Sequence, residues 1–251
     1  MSSQAKVTSG MLLLYNGTVY AELTDISEPA YSVEKVDATS HDSTNKVTVP
    51  GQTAHGDLTF KGYFVNDTAQ AALRVLALAK TTGTWRVVYP SAFGTLGYSV
   101  PGFVSSLKHT TPMKGAPATM EVSITPTESV TEITSAGVGL TTPFWSMDDE
   151  HTTEITSMFT TPAAATYVID GTLPADNIGI TIKPTAGTNS PTIYVDGTIV
   201  VSGADSGAIS IPVATYPSGS IKTLFVVVDQ GATYVPKIYR FRITRGTANH
   251  A

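Results

Sequence analysis

The amino-acid sequence predicts a mainly β protein: an N-terminal β-barrel or sandwich with one flanking α-helix, followed by a C-terminal Ig-like β-sandwich. Three observations carry the prediction. Apolar and polar residues alternate with a period of two in many short runs, the pattern of half-buried strands. One stretch, Asp67 to Lys80, has the length and composition of a helix. Turn dipeptides such as Asp196-Gly197 and Gln230-Gly231 punctuate the C-terminal part at the spacing of a sandwich. Charge divides the chain in the same places. Residues 129–154 hold no basic residue and five acidic ones (Glu132, Asp148, Asp149, Glu150, Glu154), so the excess behind the net charge of -5 lies there. The predicted boundaries are a β-barrel unit over 1–128, an acidic Thr/Gly-rich linker or arm over 129–160, and the sandwich over 161–251.

The elements follow in order. Tyr31 to Asp37 alternates roughly and reads as a strand. Ser40 to Gly56 is long for a connection, in which Val47 and Val49 suit a short hairpin. Leu58, Phe60, Gly62 and Phe64 alternate with Asp57, Thr59, Lys61 and Tyr63 in a half-buried strand. In the helix, Asp67 and Gln70 have the spacing of a capping box. Ala69, Leu73 and Leu76 line one side of it, and Gly83 is the expected stop. Trp85 to Tyr89 is a strand ended by Pro90, and Thr119 to Thr125 alternates cleanly. Within 129–154, Phe144 and Trp145 suit docking on a neighbouring surface. In the last third, strands are expected at Tyr167 to Ile169, Ile178 to Lys183, Ile193 to Val195, Ile199 to Val201, Ala208 to Ile211, Leu224 to Asp229 and Tyr239 to Thr244. Asp170-Gly171, Asp196-Gly197, Ser202-Gly203 and Pro217 to Gly219 are the turns between them.

Composition narrows the function. Charged residues make up 14% of the chain, against about 25% in typical soluble domains, and Thr and Ser fill the gap. A pI near 5.5 argues against a basic nucleic-acid binder. The absence of cysteine removes disulfides, thiolate metal sites and thiol nucleophiles. No secretion signal and no membrane span are expected. Ser40-His41-Asp42-Ser43 has the letters of a hydrolase triad, but neighbours in sequence cannot face one another as a triad requires, and a polar turn is the plainer reading. His55, His109, His151 and His250 lack metal-ligand spacing, and Asp148-Asp149-Glu150 reads as a solvated run. Asn16 and Asn66 match a glycosylation pattern by letters alone. No catalytic constellation is present, so an enzyme is not expected, and neither is a cofactor.

Four segments together resemble a known family. These are E-P-A-Y-S-V-E-K-V-D-A-T-S-H-D-S (28–43), P-G-Q-T-A-H-G-D-L-T-F-K-G-Y-F (50–64), N-D-T-A-Q-A-A-L (66–73) and G-T-W-R-V-V-Y-P (83–90). Their order and spacing, over roughly residues 10 to 128, resemble the major tail tube proteins of long-tailed, non-contractile bacteriophages, the lambda-like branch in particular. The resemblance implies a structural virion protein made in the host cytoplasm. Such subunits form hexameric rings that stack into a tube conducting DNA from head to host. The implied partners are further copies of the chain, tail-tip and head-proximal tail proteins and the tape-measure protein; DNA would pass without being bound. The loop that contacts the next ring in that family maps here onto Ser40 to Gly56, with His41, Asp42, Asn45, Lys46, Val47, Val49 and His55 as candidates. The C-terminal part resembles Ig-like or cadherin-like domains appended to phage surface proteins. It would project outward, where weak contact with cell-surface glycans is the implied role.

A DNA conduit needs a wall that does not hold phosphate, hence a neutral to acidic one. The polar faces of the two clearest strands supply Asp57, Thr59, Glu121 and Ser123 as lumen-facing candidates, with Lys61 as the dissenting charge. The competing expectation is a monomeric surface-binding or adhesin-like β module that forms no rings.

Overall fold

The computed structural model describes residues 11–20, 23–41, 44–64, 68–90, 95–111, 116–141, 145–148, 168–173, 175, 179–188, 190–204 and 206–247. The first half is built from β1 (Leu12–Tyr15), β2 (Thr18–Tyr20), β3 (Leu23–Ser27), β4 (Tyr31–Asp37), β5 (Thr48–His55), β6 (Leu58–Tyr63), α1 (Thr68–Ala79), β7 (Thr82–Val88), β8 (Gly97–Thr110) and β9 (Thr119–Pro126). The next strands are β10 (Thr131–Ile133), β11 (Ser135–Ala136) and β12 (Trp145–Asp148). The second half holds β13 (Val168–Leu173), β14 (Gly179–Lys183), β15 (Thr192–Val195), β16 (Thr198–Val200), β17 (Ile209–Ser210), β18 (Ile221–Asp229), β19 (Tyr234–Val235) and β20 (Lys237–Arg245). Over the described residues the chain is mainly β with one helix, as the alternation predicts.

The first sheet runs β2-β1-β7-β8-β9-β6-β3, with β10 also on β8, and every pairing in it is antiparallel. Its hinge is β8. The early residues of this 14-residue strand pair with β7, and the later ones pair only with β9, after a register shift between Val104 and Ser106. A bulge of this kind sharpens the twist, and the sheet wraps a core of Leu13, Leu58, Phe60, Trp85, Val100, Met120, Val122 and Ile124. Helix α1 closes the core with Leu73, which is fully buried.

The helix differs from expectation at its C-terminal end. At its start Gln70 is buried and donates from Nε2 to the Tyr63 carbonyl (2.8 Å), tying the helix to β6; Asp67, its expected capping-box partner, lies outside the described residues. The helix ends at Ala79, and Lys80 takes the left-handed conformation that terminates it. Gly83 lies inside β7, where a side chain would run into the Tyr15 ring; it is a glycine for packing, not for capping.

The second half is two facing sheets, β12-β14-β17 and β13-β20-β18-β15-β16. Ile180 and Ile182 of one pack against Ile193, Val195, Leu224, Val226, Val228, Phe241 and Ile243 of the other. Most strands begin and end within three residues of their expected places, and β13 runs four residues beyond the expected end at Ile169. Asp196-Gly197 is the expected tight turn, both residues having positive φ (48° and 83°). Asp170-Gly171 is not a turn. It lies inside β13, parallel to β20, because Asp170 takes a bidentate pair from Arg242 on the neighbouring strand (2.6 and 2.7 Å) and the ladder runs through it.

Over its described residues, the acidic segment is woven into both halves. Val130 and Ile133 are buried against the first sheet, where β10 pairs with β8. β11 runs parallel to β19, Leu140 bridges Ala186, and β12 pairs with β14. Phe144, Asp149 and Glu150 lie outside the described residues.

The halves also touch directly. Leu14 and Val19 of the first sheet pack with Phe225, Val227 and Ile238 of the second half. Arg86 on β7 is buried and donates to the Asp229 carboxylate (2.8 Å) and to the carbonyls of Gly231 (3.0 Å) and Tyr234 (3.4 Å). Two hairpin turns meet at the rim of this contact. Gly17, after Asn16 in the β1–β2 turn, has φ 76°, and a side chain there would run into the Tyr194 ring. Gly197 in the β15–β16 turn would place a Cβ 2.8 Å from Thr18 Oγ1.

Candidate assembly surfaces

Three surfaces stand out from the body of the molecule: an arm, a polar sheet face and an apolar helix face. The arm is the hairpin β4–β5. Tyr31 to Asp37 is a strand, as its rough alternation predicts, and it pairs with β5 alone. Ser40 to Gly56, read as a long connection, contributes the second strand of the arm, leaving residues 38–47 as a tip around His41. Every residue of β4 is exposed, because neither of its faces has an unbroken apolar set to bury.

The candidate loop residues fall along this arm. His41 is exposed at the tip, Asp42 lies outside the described residues, and Asn45 is exposed beside Lys46. Lys46 Nζ is 3.5 Å from Asp37 Oδ2. The Thr39 hydroxyl, then the Thr39 N–H (2.9 Å), then Lys46 hold the Asp37 carboxyl below its ordinary range. Thr39 Oγ1 accepts from the Val47 N–H (2.9 Å), which fixes the tip end of β5. Val49 pairs across with Val36. At the root, His55 stacks edge-on with Tyr31, ring centroids 4.9 Å apart. Tyr31, Val33 and Val36 are exposed apolar residues, which a strand assignment by itself does not disclose. Beside the root, burial and then the charge of Glu132 push the Glu28 carboxyl up.

The polar face lies on β3, β6, β9 and the later part of β8, and it holds all four lumen candidates. Thr59 and Ser123 are partners across β6 and β9, and Asp57 accepts a hydrogen bond from Thr125 Oγ1 (2.9 Å). Glu121 faces Lys61, with Nζ to Oε1 at 3.6 Å. Lys61 therefore belongs to an ordered pattern of charge, which strand alternation alone could not show. The helix face is Val75 and Leu78, the latter 85% exposed on the side of α1 away from the core.

Among the described residues, no group of three or more His, Cys, Asp or Glu is placed to hold a metal ion. His109 packs on the Phe64 ring at 4.5 Å, while His151 and His250 lie outside the described residues, as do Ser43 and Asn66. No helix among the described residues is long and apolar enough to cross a membrane.

No family model matches the chain, and no curated protein does. Solved structures do resemble part of it. A sheath/tube terminator of an extracellular contractile injection system in its extended state is 12% identical, with a TM-score of 0.43, over 53% of this chain and 99% of that one. A chain from the virion of a native gene transfer agent particle is 16% identical, TM-score 0.43, over 51% and 98%. A chain from the tail of an empty particle of that type, determined with C6 symmetry, is 18% identical, TM-score 0.40, over 48% and 92%.

Proposed function

We propose that the chain is a structural subunit of a phage-type tail tube, assembling into stacked hexameric rings whose bore conducts DNA. The observation that carries this reading is the arm. A two-stranded hairpin with no third strand is at best marginally stable in water. Here it stands clear of both cores and exposes Tyr31, Val33, Val36, Val47 and Val49. A monomer gains nothing from such a feature; a subunit that reaches into the next ring does. The order of segments 28–43, 50–64, 66–73 and 83–90, resembling tail tube proteins of the lambda-like branch, supports the same conclusion.

In this reading the polar face lines the bore. Carboxylates, hydroxyls and a lysine paired with a glutamate (Lys61 with Glu121) give a wall that does not hold phosphate. The chain works by assembly rather than catalysis, within the virion tail, in contact with tail-tip, head-proximal and tape-measure proteins. The C-terminal sandwich, read as Ig-like, sits on the outside, where it is the part open to weak glycan contact. Negative-stain microscopy of the purified protein, alone and with tail-tip proteins, tests the reading. Rings or tubes are expected; single particles under both conditions would favour the monomeric adhesin-like module.

A further inference from the structure

The polar face has a feature that the ring reading does not require. Its cross-strand partners form straight rows over four strands. Asp25, Lys61, Glu121 and Lys108 make one row, with charges alternating minus, plus, minus, plus. Ile26, Phe60, Val122 and Leu107 make the next, an apolar row facing the core. Ser27, Thr59, Ser123 and Ser106 make the third, all hydroxyls. Among the described residues no strand pairs at either end of these rows: β3 is an edge strand, and β8 beyond Phe103 has no strand on its β7 side. Open edges with unpaired N–H and C=O groups are templates for another strand.

We propose, resting on the ring reading, that neighbouring copies join β3 of one to the later part of β8 of the next, with Asp25 of one copy opposite Lys108 of the other. Strand direction alternates through β3, β6, β9 and β8, so an added copy continues the antiparallel pattern. One register then satisfies three rows at once. Asp25 meets Lys108, Ile26 meets Leu107 and Ser27 meets Ser106. The charge row runs on through the joint without two like charges meeting, and opposite charges directly across a strand pair are favourable where like charges are not. Ile26 and Leu107, each only half-buried within one copy, complete each other's cover. A shift of two residues would set Ser27 against Lys108 and leave Asp25 without a cation. The edges are different surfaces of one chain, so the contact is head-to-tail and closes a ring once the turn per copy divides the circle.

The chain has no cysteine, which makes the test clean. Directly opposed Cα atoms in antiparallel strands lie about 4.5–5.5 Å apart, within reach of a disulfide. The variant carrying Asp25→Cys and Lys108→Cys should, under mild oxidation of assembled protein, give a ladder of covalent oligomers up to the ring. Pairing Asp25→Cys with Thr110→Cys or Ser106→Cys should give at least tenfold less. A second arm uses charge. Asp25→Lys and Lys108→Asp should each reduce ring formation, because like charges then meet at every joint. A one-to-one mixture of the two single variants should restore it, since alternating copies bring a cation against an anion at each joint. Within each copy the substituted residue still lies beside a like charge, Lys61 in one variant and Glu121 in the other, and mixing does not change that. Recovery would therefore come from the joint between copies. If wild-type protein forms rings while the Asp25/Lys108 cysteine pair gives no ladder, the register is wrong and the ring reading stands. If wild-type protein forms no ring with its tail partners, the ring reading itself falls.

Discussion

At the scale of the residue, Gly17 shows how an ordinary turn dipeptide comes to hold the molecule together. Asn16-Gly17 has the positive φ values that a tight hairpin wants, 46° and 76°. That much is legible in the sequence. The second constraint is not: the turn presses on Tyr194, far away along the chain, and only glycine leaves room. Gly17→Ala should leave both cores intact and weaken their contact. Limited proteolysis between residues 137 and 167 should accelerate, with little change in far-ultraviolet circular dichroism; unchanged cleavage would show that the turn is no part of the contact.

Glu28 makes a prediction in pH. Its folded carboxyl titrates above its ordinary range, from burial first and Glu132 second. A raised acid is favoured in its protonated form by folding. Its contribution is therefore present at low pH and lost as pH rises through the raised value. Glu28→Gln should unfold at a higher midpoint than wild type at pH 7, and at the same midpoint in acid. The exposed Asp170 and Asp37 run the other way, since hydrogen bonds hold both below their ordinary range and their contribution fades as pH falls.

At the scale of the element, β4 and β6 show which parts of the fold the sequence discloses. The strand β6 has strict alternation, and its apolar residues Leu58 and Phe60 are buried. Alternation in β4 is imperfect: Val33 and Val36 point to opposite faces, with a register shift between Val33 and Lys35. A strand with no consistent apolar face cannot belong to a core, and this is the physical content of its exposure. The sequence discloses the strand and suits Val47 and Val49 to a hairpin; that β4 and β5 pair with each other alone depends on a partner that no single run records. The edge rows were out of reach for a different reason. Register between strands depends on which residues a distant partner offers, and no single strand records that.

The arm carries its own prediction. Val36 and Val49 are cross-strand partners near the tip and touch nothing in either core. Replacing Val36 with Lys and Val49 with Glu, opposite charges across the strand pair, should leave the thermal midpoint of the isolated subunit nearly unchanged, within about 0.5 kcal/mol for exposed positions, while stopping rings from stacking. A normal tube from this variant would remove the arm from the contact between rings.

At the scale of the whole molecule, the C-terminal sandwich is fastened to the first sheet through Leu14, Val19, Phe225, Val227 and Ile238, and through the buried pair of Arg86 and Asp229. Composition suggested two β units with an acidic tether. Compositional boundaries mark where residue usage changes, not where contact ends, and the described part of the tether contributes strands on both sides. Asp229→Ala would leave the Arg86 charge buried with only carbonyl partners. Breaking a buried pair in this way costs about 3 kcal/mol, the low end of the usual range because Gly231 and Tyr234 remain bonded. Thermal unfolding should then separate into two transitions; a single transition at the wild-type midpoint would show that the pair contributes nothing to the docking.

In the proposed tube, the shortage of charge in the chain acquires a location. Subunits buried against neighbours above, below and beside them lose exposed surface, and the centres of such interfaces are poor in Lys, Glu and Asp. Four of the charges on the first sheet, Asp25, Lys61, Glu121 and Lys108, stand in one row. Cryo-electron microscopy of tails purified from particles that contain this chain is the most direct measurement of the central claim. The account predicts a tube of stacked rings in which the face bearing Asp57, Thr59, Glu121 and Ser123 lines the bore, β3 abuts β8 of the adjacent copy, and the β4–β5 arm reaches the next ring. A tube wall made by another protein, or this chain arranged with that face turned outward, would contradict it.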